Sequence, residues 1–126
     1  MSVQIVLDVT QEYVNGTVPG VPNVAQIDVG GFDYAVVQVV NIAGGTLFFK
    51  TTNDSGDIQG VSDGNPVSAT NWIAARGTTI AGGVSVTSIA ADGLVRFEQI
   101  GRFLQLDGSV GPVTCSKILV RLYKIH

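Results

Sequence analysis

Very few side chains in this 126-residue sequence could attack a substrate or move a proton at neutral pH. The only histidine is His126, at the C-terminus, which excludes a histidine-based triad and a histidine-rich metal site. The only cysteine, Cys115, has no histidine near it in sequence to activate the thiol, so a buried and inert side chain is expected. We therefore predict a non-enzymatic protein with no catalytic residues and no cofactor.

Carboxylates occur in two settings that could carry chemistry. Asp54, Asp57 and Asp63 lie in one acidic stretch and offer the oxygen ligands that Ca²⁺ prefers. The same residue types are the usual residues of turns, and their spacing does not match a helix–loop–helix calcium site, so a loop without metal is the preferred interpretation. Glu98 lies two residues from Arg96, which predicts a solvated cross-strand ion pair rather than half of a glycosidase carboxylate pair.

Trp72 is the only tryptophan and opens a predicted strand right after the long loop that contains the acidic stretch. An exposed indole at this position would be a flat surface for stacking sugar rings. Large aromatic side chains in small sandwiches usually fill the space between the sheets, so burial in the core is the preferred interpretation. Trp72 thus remains a candidate ligand platform if it is exposed.

The charge of the chain excludes several classes of partner. Lys and Arg number 7 against 10 Asp and Glu, for a formal net charge of -3, whereas nucleic-acid binders usually carry a basic excess. No apolar run approaches the roughly 18 residues that a membrane helix needs. We therefore expect no nucleic-acid partner and no membrane partner. Charged residues make up only 13% of the chain, about half of the usual fraction.

The pattern of apolar residues predicts an all-β fold in a single domain, residues 1–126. Val3, Ile5, Leu7 and Val9 alternate with polar residues, as in a strand with one buried face. Clusters of turn-forming residues separate the further predicted strands. These are 24–29, 34–41, 46–52, 71–75, 84–89, 94–100, 103–106 and 117–125. Short strands without a crossover helix predict a jelly-roll-like antiparallel β-sandwich of about eight strands.

A weak internal repeat agrees with a jelly roll made of two similar halves. Residues 29–32 and 100–103 share the pattern apolar-Gly-x-Phe, and at the same offset residues 47–50 match residues 118–121. Each half therefore reads as a strand, a Gly-Phe corner, a second strand, a loop and a third strand.

Two predicted strands are apolar on both faces. In 117–125, Leu119, Tyr123 and Ile125 lie opposite the alternating residues that would face the core. The strand 34–41 has the same character. An antiparallel sandwich strand normally turns one face to water, so either a neighbouring subunit or a long loop of the same chain covers the second face. The first alternative makes Leu119, Tyr123 and Ile125 candidate interface residues.

The segment 12–23 differs from the rest of the chain. It contains two prolines and no alternation that a strand could use, so we expect an extended arm or loop. As an arm, it would present Tyr13, Val18 and Val21 to a partner.

Six segments together resemble the small β-sandwich structural proteins of tailed bacteriophages. They are 31–39 (GFDYAVVQV), 45–54 (GTLFFKTTND), 71–74 (NWIA), 91–97 (ADGLVRF), 100–106 (IGRFLQL) and 118–122 (ILVRL). The resemblance extends over residues 24–122 and implies a virion component, either a capsid cement or decoration protein or a tail, baseplate or fibre module. The acidic, single-domain chain without heptads or fibrous repeats favours the outer capsid surface.

This resemblance also implies partners. We expect the chain to associate with itself, as a homotrimer or another closed oligomer, and to bind the major capsid protein or other virion proteins. The alternative is a tail-associated module that binds host-surface carbohydrate. The two alternatives differ in whether Trp72 and the loop 54–65 lie exposed together in a groove.

Overall fold

Eleven short strands form two antiparallel sheets in the computed structural model, which describes residues 2–7, 24–54, 71–109, 113, 115 and 117–124. The strands are β1 (Ser2–Leu7), β2 (Val24–Asp28), β3 (Tyr34–Val40), β4 (Leu47–Thr52), β5 (Ile73–Ala74), β6 (Gly77–Thr79), β7 (Ser85–Val86), β8 (Ser88–Ile89), β9 (Gly93–Phe97), β10 (Phe103–Asp107) and β11 (Lys117–Tyr123). The described residues contain no helix. The predicted all-β class is therefore confirmed.

The pairing of the strands is that of a jelly roll. The six-stranded sheet has the order β1-β11-β3-β9-β6-β7, and the five-stranded sheet has the order β2-β10-β4-β5, with β8 also paired to β4. Read along the chain, the pairs are nested: β1 with β11, β2 with β10, β3 with β9 and β4 with β8. Nested antiparallel pairs that alternate between two sheets are the arrangement produced by two Greek keys.

Inward-facing residues of both sheets form one hydrophobic core. Val37 and Val120, from neighbouring strands of the six-stranded sheet, are 0% exposed, as are Leu104 and Leu106 from the other sheet. The rings of Phe49 and Phe97 meet edge to face across the two sheets, with centroids 4.9 Å apart. Burial of each side chain of this size contributes about 1.5–3 kcal/mol to the stability of the fold. The two sheets therefore pack with their apolar faces together, as the alternation of apolar and polar residues in the sequence predicts.

The predicted strands agree with the structure in their order but not in their number. The predicted strand 84–89 is broken at Thr87: β7 joins the six-stranded sheet and β8 the five-stranded sheet. The strand β6 was not predicted, because three residues of Gly and Thr carry no alternation. Gly77 is required there, since a Cβ at that position would lie 2.8 Å from Cε1 of Phe97 in the core.

The two Gly-Phe corners of the internal repeat lie side by side. One joins β2 to β3 and the other joins β9 to β10, so each connects the two sheets. The N–H of Val29 donates to the carbonyl of Arg102 at 2.7 Å, and Nη2 of Arg102 lies 3.3 Å from Oδ2 of Asp28. A Cβ on Gly101 would lie 2.6 Å from the carbonyl oxygen of Thr52, so this corner requires glycine.

Some of the predictions fall outside the described residues. The first strand is confirmed as β1, but its predicted last residue, Val9, lies beyond the described part, as do the segment 12–23, with Tyr13, Val18 and Val21, and Ile125. The acidic residues Asp57 and Asp63 and the histidine His126 are outside it as well.

Candidate interaction surface

The solvent-facing side of the six-stranded sheet is the surface that the sequence singled out. We call it the outer face. On β3, Ala35, Val37 and Val39 point into the core, so the alternate residues lie on the outer face. The strand register extends this face across the neighbouring strands. Its described members are Tyr34, Val36, Gln38, Val40, Thr78, Ser85, Leu94, Arg96, Lys117, Leu119, Arg121 and Tyr123.

Three aromatic and cationic side chains are fixed against one another at one end of the outer face. The rings of Tyr34 and Tyr123, which are direct cross-strand partners, stack with centroids 4.6 Å apart and planes 8° from parallel. The guanidinium carbon of Arg96 lies 4.2 Å from the centroid of the Tyr34 ring, on a neighbouring strand. Nε of Arg96 also lies 3.0 Å from Oε1 of Glu98. The pair of Arg96 and Glu98 is solvated, as predicted, but it runs along one strand and not across two.

Aliphatic side chains continue the outer face from this aromatic end. Val36, Leu94 and Leu119 line a shallow groove of about 190 Å³ together with Gln38 and Arg121. Leu119 is half-buried, and Leu94 is 38% exposed. Stacked tyrosines, arginine and aliphatic side chains are the residue types found in the centres of protein–protein interfaces.

Leu94 connects this groove to an apolar ledge at the end of the sheet. The ledge contains Val40, Ile80 and Ala81 and borders a second groove of about 400 Å³. Ile80 is 53% exposed although it is a large aliphatic side chain. Together the aliphatic side chains of the two grooves form an exposed strip, the apolar strip, among which Gln38 and Arg121 are interspersed. Exposed apolar patches commonly mark interaction surfaces.

Asp92 holds the backbone beneath the ledge. Its carboxylate accepts the N–H of Ile42 at 2.8 Å and the N–H of Asn41 at 2.9 Å, and these bonds join the β3–β4 connection to the turn before β9. The backbone N–H groups of Ile42 and Asn41 lower the pKa of the Asp92 carboxyl. Asn41 adopts φ 57°, a left-handed conformation that asparagine tolerates better than most residues.

A polar groove of about 370 Å³ lies on the other side of Arg96. It is lined by Arg76, Thr78, Ser85, Arg96, Glu98 and Gln99. Arg96, Thr78 and Ser85 are direct cross-strand neighbours on β9, β6 and β7. The groove therefore presents two guanidinium groups, two hydroxyls and an amide, all of which can donate to an anion, together with one carboxylate, that of Glu98.

The solvent-facing side of the five-stranded sheet is different in character. Its cations are paired: Nζ of Lys50 lies 2.7 Å from Oδ2 of Asp107, and Arg102 contacts Asp28. Gln26 and Gln105 are 4% and 7% exposed, so the middle of this side is closed to solvent at these two residues. Burial raises the pKa of the Asp107 carboxyl, but hydrogen bonds from Lys50 and Ser109 outweigh burial and hold that pKa below its ordinary value.

The remaining candidates divide between the core and the loops. Cys115 is buried and forms no disulfide, as predicted. Trp72 is half-buried and does not belong to the hydrophobic core, so the prediction of core burial is wrong. The reason is its position, since the strand that follows it is only two residues long and Ile73 next to it is 66% exposed. Nδ2 of Asn71 donates to Oδ2 of Asp54 at 2.6 Å, which places Trp72 beside the start of the acidic loop.

Sequence reasoning found Leu119 and Tyr123 on the outer face but missed Arg76 and Leu94, and it identified Arg96 only as the solvated partner of Glu98. The alternation in residues 94–97, with Val95 and Phe97 buried, could have placed Leu94 and Arg96 on the exposed side. Arg76 carried no such information, because it lies between two very short strands. Among the described residues no cluster of metal-ligating side chains occurs. No helix long and apolar enough to cross a membrane is found in the same part of the chain.

Comparison with known proteins yields a structural relative. No family model matches the chain, and no curated protein matches it in sequence. The crystal structure of the SPBc2 prophage-derived protein YomS matches with a TM-score of 0.54 and 13% sequence identity. The match covers 97% of this chain and 94% of the YomS chain. At this identity the match shows a shared fold, so this chain has a two-sheet β-sandwich fold like that of a protein derived from a prophage.

Proposed function

We propose that this chain is a non-enzymatic structural protein of a tailed-phage virion, and that it binds the outer capsid surface as a cement or decoration protein. The observation that carries the proposal is the outer face of the six-stranded sheet. Tyr34, Tyr123 and Arg96 form a fixed cluster there, next to the apolar strip through Leu94. A surface of this kind supports a role in assembly.

The fold supports the same role. The structural relative YomS is a prophage-derived protein, and the six segments that resemble phage β-sandwich proteins all fall on strands or corners of the described fold. A jelly roll is a closed, rigid unit with few free edges, which suits a part that is repeated many times on a shell.

Binding to particles tests this proposal directly. Particles of a phage whose gene for this protein has been deleted would be incubated with the purified protein and then sedimented. We expect the wild-type protein to pellet with the particles and Leu119→Asp to remain in the supernatant. Ile73→Asp is the matched control, since Ile73 is exposed on the other sheet and its replacement adds the same charge. Wild-type protein that never pellets with particles would contradict the proposal.

A tail, baseplate or fibre module that binds carbohydrate is the second candidate. It is favoured by one observation: Trp72 is half-buried outside the hydrophobic core, and the bond between Asn71 and Asp54 places it beside the residue at which the acidic loop begins. Glycan-array binding that Trp72→Ala abolishes, together with a tail location on virions, would establish this candidate in place of the first.

A further inference from the structure

Charge is distributed unevenly between the outer face and the rest of the chain. The outer face and its edge carry four cations, Arg76, Arg96, Lys117 and Arg121, against two carboxylates, Glu98 and, in the groove at the ledge, Asp92. That surface therefore has a net charge of +2, and because the whole chain carries -3, the remaining residues sum to -5. A basic face on an acidic protein is complementary to the other surfaces of an identical copy.

The most concentrated part of this basic face is the groove between β6 and the end of β9. Within the described part of the chain, Arg76 forms no ion pair or hydrogen bond. Arg96 is held in place by its stacking on Tyr34 and by the single bond from its Nε to Glu98. These contacts leave the Nη groups of Arg96 without a partner among the described residues. An arginine in this condition is preorganised to bind a carboxylate through two parallel hydrogen bonds.

We propose that this groove binds an acidic side chain of a second copy of the chain, so that copies associate head to tail. The hydroxyls of Thr78 and Ser85 lie in the same cross-strand row as Arg96 and complete the set of donors. This inference rests on the proposed function in that it identifies the surface through which copies of the structural protein contact each other.

A face-to-face dimer would not use the same charges. It would place two outer faces that each carry a net positive charge against each other, and like charges across an interface oppose association. A head-to-tail contact pairs the +2 surface with the acidic remainder of the neighbouring copy. Contacts of this kind are heterologous, and they generate a closed ring when the rotation between copies closes.

Two single substitutions in the groove should have opposite effects on self-association. Arg76→Glu should weaken self-association about tenfold or more, because it places a carboxylate where one must bind. Glu98→Gln should strengthen self-association a few-fold, because it removes the carboxylate that competes for Arg96. Both side chains are exposed, and surface ion pairs of this kind contribute little to folding, so both variants should remain folded.

Sedimentation velocity of the purified protein tests the proposal, at about 50 mM and about 500 mM NaCl. We expect oligomers of the wild-type protein at low salt that dissociate at high salt, fewer for Arg76→Glu and more for Glu98→Gln. Lys117→Glu is the control, since Lys117 lies on β11, two strands away from β9 in the sheet, and the change in charge is the same. Equal effects of Arg76→Glu and Lys117→Glu would overturn the assignment to the groove.

A monomeric wild-type protein at every salt concentration would also overturn the proposal. That result is distinguishable from failure of the proposed function, which is measured by pelleting with particles. The wild-type protein could bind particles yet stay monomeric in solution, and Arg76→Glu could leave its binding to particles unchanged. In that case the structural role would stand, and the groove would have no part in it.

Discussion

Tyr34 and Tyr123 stack face to face across two adjacent strands, and both rings lie on the outer face of the six-stranded sheet. The rings come from residues 89 positions apart in sequence, and the guanidinium of Arg96 covers Tyr34 from a third strand. Contacts with neighbours restrict all three side chains before any partner binds. Such preorganisation lowers the entropic cost of association, which is why we expect this cluster to anchor the interface.

The first prediction concerns the apolar part of this interface. Leu119→Asp places a charge in the groove beside Val36 and Leu94 and should weaken self-association or particle binding about tenfold or more. Tyr123→Asp should have a similar effect, because it also removes the stacked ring. The β-sheet circular dichroism of both variants should match that of the wild-type protein.

Ile73→Asp provides the comparison for these variants. It introduces the same charge at an aliphatic side chain that is 66% exposed on the five-stranded sheet. If Ile73→Asp weakened association as much as Leu119→Asp, the outer face would not be the interface.

The second prediction concerns the packing of β6 onto the core. Gly77→Ala should lower the free energy of unfolding by about 1–3 kcal/mol, because the new methyl group would overlap Val95 and the Phe97 ring. Gly93→Ala is the matched control on the neighbouring strand. A Cβ at Gly93 meets no atom within 4 Å, so the free energy of unfolding should stay constant or rise slightly. Urea denaturation measures both variants, and equal stability of Gly77→Ala and the wild-type protein would show that β6 does not pack as described.

Much of the outer face could be predicted from the sequence, because it depends on local alternation. Ile118, Val120 and Leu122 are buried in β11, so Leu119 and Tyr123 had to lie on the opposite side. The contact between Arg96 and Tyr34 could not be predicted in this way. It depends on the pairing of β3 with β9, strands more than 50 residues apart, and a single sequence contains no information about which strands are neighbours.

The polar groove and the position of Trp72 also could not be predicted from the sequence. The groove depends on β6 and β7, which have three and two residues. Strands this short show no recognisable alternation of apolar and polar residues. Trp72 was expected in the core because large aromatic side chains in small sandwiches usually fill the space between the sheets. The structure places it beside a two-residue strand at the edge of a sheet, where it is half-buried and outside the hydrophobic core.

The third prediction concerns acid stability. The pKa of the Asp107 carboxyl is lowered in the folded protein, so its ionised form stabilises the fold at pH values above about 4, the ordinary pKa of an unfolded aspartate. That contribution is lost as the pH falls through the lowered pKa of the folded state. Asp107→Asn should therefore lower the free energy of unfolding near pH 7 by about 1–2 kcal/mol, and the effect should diminish as the pH falls below about 4.

Glu98→Gln serves as the control for the effect of Asp107. The Glu98 side chain is 64% exposed, and its ion pair with Arg96 should contribute less than about 1 kcal/mol. A difference between Asp107→Asn and the wild-type protein that persisted unchanged at pH 2 would show that the ionised carboxylate is not the source of the stability.

The fourth prediction concerns chemistry. Glycosidase, esterase and nuclease assays of the purified protein should give background rates, because the acid–base groups in the sequence are few and scattered. The informative variant is Glu98→Gln, since Glu98 lies in the polar groove with two arginines. A reaction above background that this substitution abolished would make the groove an active site and would contradict the non-enzymatic assignment.

The central claim is that the chain is a component of the capsid surface, and its copy number on intact virions tests that claim most directly. Quantitative mass spectrometry of purified particles, combined with cryo-electron microscopy, would measure both copy number and position. We predict a copy number comparable with that of the major capsid protein and density on the outside of the head. Absence from the particles, or a few copies confined to the tail, would contradict the capsid assignment.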